Sequence, residues 1–140
     1  MANSQIISFG INDLHAINDG WYDLEKSPEG VYFRASSPLA NLTLPIEGKR
    51  IDLSLYLSAR PEHAGEPLEV SVCNSEADSG FTFILETNGW SIRSGSVIIN
   101  QDKKIQIIIK NPWSPDRLYN NGDSRSLGVL LSAVRINILD

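Results

Sequence analysis

A chain of 140 residues is long enough for one domain with a substantial core, since a protein of this size buries about two-thirds of its unfolded surface. Hydrophobic residues make up 41% of the sequence and charged residues 21%, which is typical of globular proteins and excludes intrinsic disorder. The net charge of -5, with scattered Lys and Arg, excludes a nucleic-acid-binding protein, because affinity for phosphates needs clustered cations.

The same features suggest a location and a domain organisation. Cys73 is the single cysteine, and the N-terminal residues have neither a basic region nor a long apolar run, so we expect a cytoplasmic protein. No apolar stretch has the length of a membrane-spanning helix, and we expect no membrane insertion. Residues 1–140 are predicted to form a single domain.

Short β-forming runs, separated by Gly, Pro, Asn and Asp, follow one another along the chain. They span residues 5–9, 31–34, 41–44, 50–59, 68–73, 81–86, 96–99, 105–110 and 127–138. The clearest is 50–59, where alternate residues are Ile or Leu, the period of a half-buried strand. In the last run the apolar parity changes, which predicts a β-bulge near Ser132 and Ala133.

This spacing of strands predicts an all-β fold, a two-sheet antiparallel β-sandwich of jelly-roll-like form. Apolar residues nowhere keep a helical period for three turns, so no long helix is expected. The Cys-Trp-Cys arrangement of antibody domains is absent, which disfavours an immunoglobulin-type sandwich.

The sequence lacks the usual signs of catalysis. His15 and His63 lie far apart and match no metal-ligand spacing, and there is no G-x-S-x-G motif, so we predict no enzymatic activity. Asn120, Asn121 and Asp123 would provide oxygen ligands for a loop Ca²⁺ but do not match an EF-hand. We therefore favour a protein without a cofactor.

The aromatic residues leave two interpretations open. Trp21, Trp90 and Trp113 each lie beside a turn signal, where a Trp either covers the end of the core or presents its ring to a ligand such as a sugar. Tyr56 has the polar parity of its strand and is expected to be exposed unless another layer covers it.

Residues 111–126 form a long segment without strand alternation, a feature often associated with function or with internal packing. Arg117, Tyr119, Asp123 and Arg125 supply donors, acceptors and a ring that suit hydroxyl or carboxylate recognition. In the alternative interpretation, Asp123 and Arg125 attach the segment to the body of the domain.

Several short motifs form a familiar series: GWY at 20–22, FR at 33–34, GW at 89–90, PWSP at 112–115 and DSRSLG at 123–128. This series resembles the β-sandwich accessory domains of bacterial glycosyltransferases and methyltransferases of cell-surface polysaccharide assembly. The resemblance extends from Gly20 to Ile138 and implies a non-catalytic module beside an enzyme of that kind, either glycan-binding or serving in docking or oligomerisation.

Together, the residues and the resemblance predict a non-catalytic carbohydrate-binding or glycan-enzyme accessory module. The predicted partners are a glycan and a neighbouring glycosyltransferase or methyltransferase domain. The predicted binding residues are Trp21, Tyr22, Trp113, Arg117, Tyr119, Asp123 and Arg125. The alternative is a protein-interaction module in which the aromatic residues are buried and a sheet face, or an edge strand such as 105–110, contacts a partner.

Overall fold

A computed structural model describes residues 3–46, 49–59, 67–85, 89–112, 122 and 126–139. The described residues form ten strands and one short 3-10 turn, Asp13–His15, and include no α-helix. The strands are β1 (Asn3–Ser8), β2 (Trp21–Lys26), β3 (Tyr32–Ser36), β4 (Leu39–Thr43), β5 (Arg50–Ser58), β6 (Leu68–Asn74), β7 (Gly80–Leu85), β8 (Ser91–Ile98), β9 (Lys104–Ile109) and β10 (Leu130–Ile138).

The strands form two antiparallel sheets. The larger sheet has the order β2-β3-β10-β5-β8. Strand β3 pairs with residues 130–131 of β10, and β1 pairs with residues 133–138 on the same side of that strand. The smaller sheet has the order β4-β9-β6-β7. The predicted all-β sandwich is therefore confirmed. No helix in the described part of the chain is long and apolar enough to cross a membrane.

The core lies between the sheets and follows from the alternation seen in the sequence. Ile51, Leu53, Leu55 and Leu57 of β5 are completely buried, and so are Ile105 and Ile107 of β9 in the facing sheet. Burying an aliphatic side chain of this size contributes about 1.5–3 kcal/mol. The inward faces of β5 and β9 thus provide a large part of the stability that holds the sheets together.

Several strand predictions are confirmed and others need correction. The register of β10 against β5 shifts between Leu131 and Ala133, where the sequence predicts the bulge. The run 105–110 was expected as an edge strand, but β9 pairs on both sides and has no free edge. Strand β2 was not predicted, because its side chains include no fully buried set and its pairing with β3 is irregular.

Candidate functional site

The outer face of the larger sheet carries the side chains of β5 that alternate with its core residues. Cross-strand partners point to the same face of a sheet, so the register identifies the other members of this face. Tyr56 is paired with Ala133 of β10 and Ile92 of β8, and Ser54 with Arg135 and Ser94. Asp52 lies one step further along β5, between Asn137 and Ser96.

Three aromatic rings cluster at one end of this face, and we call Phe33, Tyr56 and Trp90 the aromatic platform. The ring centroids of Tyr56 and Trp90 are 5.3 Å apart with an interplanar angle of 32°, and those of Phe33 and Trp90 are 5.7 Å apart. Phe33 is buried, whereas Tyr56 and Trp90 are half-buried. The platform is therefore supported from within by Phe33 and open to solvent at the other two rings.

The polar atoms of the two open rings are available to a ligand. Neither the Tyr56 hydroxyl nor the Trp90 indole N–H has a hydrogen-bond partner among the described residues. Among the described residues, the buried polar side-chain atoms without a partner do not include the Tyr56 hydroxyl or the Trp90 N–H. Both atoms are therefore in contact with solvent. An aromatic ring that combines an apolar face with an unpaired donor can contact a ligand and also orient it.

Hydroxyl and carboxylate groups continue the outer face beyond the platform. The Ser54 and Ser94 hydroxyls hydrogen-bond to each other at 2.8 Å, and Ser96 Oγ donates to Asp52 Oδ1 at 2.5 Å. Ser94 and Ser96 are exposed and Ser54 and Asp52 are half-buried, so these groups can exchange their mutual hydrogen bonds for bonds to a polar ligand. The outer face thus places a polar track next to a pair of open rings.

The structure places the predicted site residues Trp21 and Tyr22 elsewhere and gives both of them internal partners. Trp21 Nε1 donates to the Asn41 carbonyl at 2.9 Å, and its ring contacts Phe9 edge-on with centroids 5.4 Å apart. The Tyr22 hydroxyl donates to the Ser126 carbonyl at 3.1 Å. Both side chains are half-buried and pack against the core, as in the structural interpretation of a Trp beside a turn.

The remaining predicted site residues, Trp113, Arg117, Tyr119, Asp123 and Arg125, lie outside the described residues. The same holds for His63, and for Asn120 and Asn121 of the suggested Ca²⁺ site. His15 is exposed at the end of the 3-10 turn. Within the described ranges, no group of three His, Cys, Asp or Glu residues is arranged to hold a metal ion.

Trp90 and Tyr56 were noted in the sequence but not selected as binding residues. The sequence placed Tyr56 on an outward face, yet it gave no sign that Trp90 lies beside it. The missing information was the extent of β8, whose first half, with Arg93, Ser94 and Gly95, lacks apolar alternation. The pairing of Leu57 with Ser91 brings the preceding Trp90 next to Tyr56.

No protein-family model matches the sequence, and no curated protein is significantly similar to it. Solved structures, in contrast, share its fold. The xylan-binding CBM22-1 domain of Xyn10C from Paenibacillus barcinonensis matches 97% of this chain with a TM-score of 0.56 and 12% identity. The match covers 94% of that domain.

The C-terminal CBM6 of LamC, a marine laminarinase from Zobellia galactanivorans, matches 96% of this chain and 98% of its own, with a TM-score of 0.54 and 16% identity. A third match is to BtGH115A, a 4-O-methyl-α-glucuronidase of family GH115 with specificity for decorated arabinogalactans. It has a TM-score of 0.52 and 15% identity over 92% of this chain, which spans only 17% of that enzyme. The chain therefore has the β-sandwich fold of carbohydrate-binding modules.

Proposed function

We propose that this protein is a non-catalytic carbohydrate-binding module that holds its ligand on the outer face of the larger sheet. The observation that carries this proposal is the half-buried pair of Tyr56 and Trp90, whose polar atoms have no partner among the described residues. Sugar rings have apolar C–H faces and a rim of hydroxyls, so they require aromatic surface together with nearby donors and acceptors. The platform and the adjacent Ser54, Ser94 and Asp52 supply both.

The fold similarity supports the proposal but does not choose the ligand, because one fold can carry many functions. The matched domains are described as binding xylan or as part of a laminarinase. The match to BtGH115A covers a small part of a larger enzyme, which supports an accessory role beside a catalytic domain. A neighbouring glycosyltransferase or methyltransferase domain of polysaccharide assembly remains a prediction from the sequence resemblance.

The proposal is tested by isothermal titration calorimetry with soluble xylan, laminarin and arabinogalactan. We expect at least one polysaccharide to bind saturably and the Trp90→Ala and Tyr56→Ala variants to weaken binding at least about tenfold, or about 1.4 kcal/mol. The loss arises because each substitution removes ring surface that a sugar would cover. Tyr56→Phe keeps the ring and removes only the unpaired hydroxyl, so a smaller loss is expected.

Ile84→Ala is a matched control, since Ile84 is 50% exposed on β7 of the other sheet. It should bind like the unchanged protein. Circular dichroism of every variant would show that the sandwich is intact. Binding that survives both Trp90→Ala and Tyr56→Ala would move the site away from the platform, and absence of binding to any polysaccharide would refute the proposed function.

A protein-interaction role is the second candidate. Ile11 and Leu14, at the turn that follows β1, are 84% and 72% exposed, which is unusual for large aliphatic side chains. Analytical ultracentrifugation of the protein and of an Ile11→Ser, Leu14→Ser variant would show whether this turn mediates self-association. A monomer at high concentration in both cases would remove self-association as an explanation for these exposed residues.

A further inference from the structure

We propose that the glycan held on the outer face carries a carboxylate, as a hexuronic acid does, and that Arg135 binds this group. The inference rests on the proposed function, since it assigns a ligand class to the same surface. Arg135 is exposed on β10, and its Nε donates to Ser4 Oγ of β1 at 3.3 Å. Among the described residues it forms no ion pair.

The position of Arg135 relative to the platform suits recognition of a substituent on a stacked sugar. Tyr56 is paired with Ala133, so Arg135 is the diagonal neighbour of Tyr56 across the β5–β10 ladder. Diagonal neighbours have Cα atoms about 7–8 Å apart, within reach of a long side chain. A sugar on the Tyr56 ring could therefore direct a ring substituent toward the guanidinium group.

The chemistry of the guanidinium favours a carboxylate. Because Nε is directed to Ser4, the two terminal nitrogens form the end that remains for a ligand. Two parallel N–H donors match the two oxygens of a planar carboxylate, and this charge-assisted pair is stronger than hydrogen bonds to neutral hydroxyls. Arg135 is thus an exposed cation that no carboxylate of the described residues pairs with, in a protein whose net charge is -5.

The carboxylates of the protein on this face do not prevent such binding. Asp52 is the other diagonal neighbour of Arg135 across this ladder, with Cα atoms about 7–8 Å apart, and its Oδ1 accepts a hydrogen bond from Ser96. Glu25 opposes Phe33 from β2, two strands away from β10. A carboxylate hydrogen-bonded directly to the Arg135 guanidinium would be closer to that cation than to either acid, and the Asp52 carboxylate is held by Ser96.

The experiment compares each acidic polysaccharide with its own carboxyl-reduced form. Glucuronoxylan and polygalacturonate are titrated against the protein before and after carbodiimide activation and borohydride reduction, which convert carboxylates to alcohols. We expect reduction to weaken binding at least about tenfold. Arg135→Gln should lose the same factor on the acidic form and change binding to the reduced form less than about twofold.

Lys104→Gln is the matched control, because it removes an equal charge from an exposed position on β9 of the other sheet. It should keep the preference for the acidic form. Equal binding of the acidic and reduced polysaccharides, or full binding of the acidic form by Arg135→Gln, would overturn the assignment of Arg135. Binding of dextran sulfate as tight as that of the acidic polysaccharides would also overturn it. If Trp90→Ala still abolished binding in these cases, the proposed function would stand while this inference fell.

Discussion

Gly95 allows the β7 and β8 edges of the two sheets to come together, and a single methyl group should disturb this contact. Gly95 is paired with Leu53, so a side chain at this position would point toward the smaller sheet. A Cβ atom there would lie 2.2 Å from Cγ and 2.3 Å from Cδ1 of Phe81. Carbon atoms in good contact are about 3.5–4.0 Å apart, so the Phe81 ring must move by more than 1 Å, by roughly the difference.

Two opposing effects determine how far Gly95→Ala lowers the free energy of unfolding. Overpacking of this kind destabilises a protein by about 1–3 kcal/mol, and Phe81 has little freedom to move because it is stacked on Phe83 with centroids 6.1 Å apart. Replacing Gly by Ala also restricts the unfolded chain, which returns about 0.4–1 kcal/mol. We therefore expect Gly95→Ala to lower the free energy of unfolding by about 1–2 kcal/mol.

Urea unfolding followed by tryptophan fluorescence would measure this loss, with Ser94→Ala, the exposed neighbour, as the control. At a urea dependence of about 2 kcal/mol per molar, the midpoint should fall by roughly 0.5–1 M. The cause is tested by adding Phe81→Leu, which removes the ring edge: the double variant should be more stable than the sum of the single effects predicts. Additive effects, or a Gly95→Ala protein as stable as the unchanged one, would refute this explanation.

Two further predictions concern buried polar groups. Cys73 is 9% exposed, and burial raises the pKa of its thiol, so alkylation at pH 8 should be at least about tenfold slower in the native protein than in urea; equal rates would contradict the burial. Asp13 is 2% exposed and accepts a bond from Arg34 Nε at 2.7 Å, so Asp13→Asn should cost about 3 kcal/mol, because the half-buried Arg34 guanidinium loses its ionised partner. Glu69→Gln breaks the exposed pair with Lys110 and should lower the free energy of unfolding by less than about 1 kcal/mol in the same urea assay. Similar losses for the Asp13 and Glu69 variants would contradict the stronger contribution of the buried pair.

The strands that were predicted correctly are those with one face buried and the other facing solvent. In β5 the alternation of aliphatic and polar residues is uninterrupted, and the change of parity in β10 placed the bulge at Ser132 and Ala133 correctly. Strand β2 and the first half of β8 lie at the edges of the larger sheet, where few side chains are fully buried. Their hydrophobic pattern is therefore weak, and pairing with β3 and β5 determines their structure instead.

The difference between Trp21 and Trp90 shows why the candidate site was harder to predict than the fold. Each follows a glycine beside a turn, and the local sequences are almost equivalent. What separates them is the partner of the indole N–H: the Asn41 carbonyl for Trp21, and no described residue for Trp90. Such partners come from residues distant in sequence, so they depend on the register of the sheets and not on any local motif.

The structure separates the residues that stabilise the domain from those that would bind the ligand. In β5, Leu55 and Leu57 face the core, while Tyr56 between them faces outward and packs on Trp90. Because Tyr56 is half-buried and the core of β5 lies on the opposite side of the sheet, Tyr56→Ala should affect binding more than folding. Trp90 is half-buried but packs against the core, so the loss of its ring should also lower stability. Phe33 is 4% exposed and its ring contacts Trp90, so its loss should affect both binding and folding. The platform of one buried and two half-buried rings is thus anchored by the fold and leaves ring surface for the sugar that we propose as its ligand.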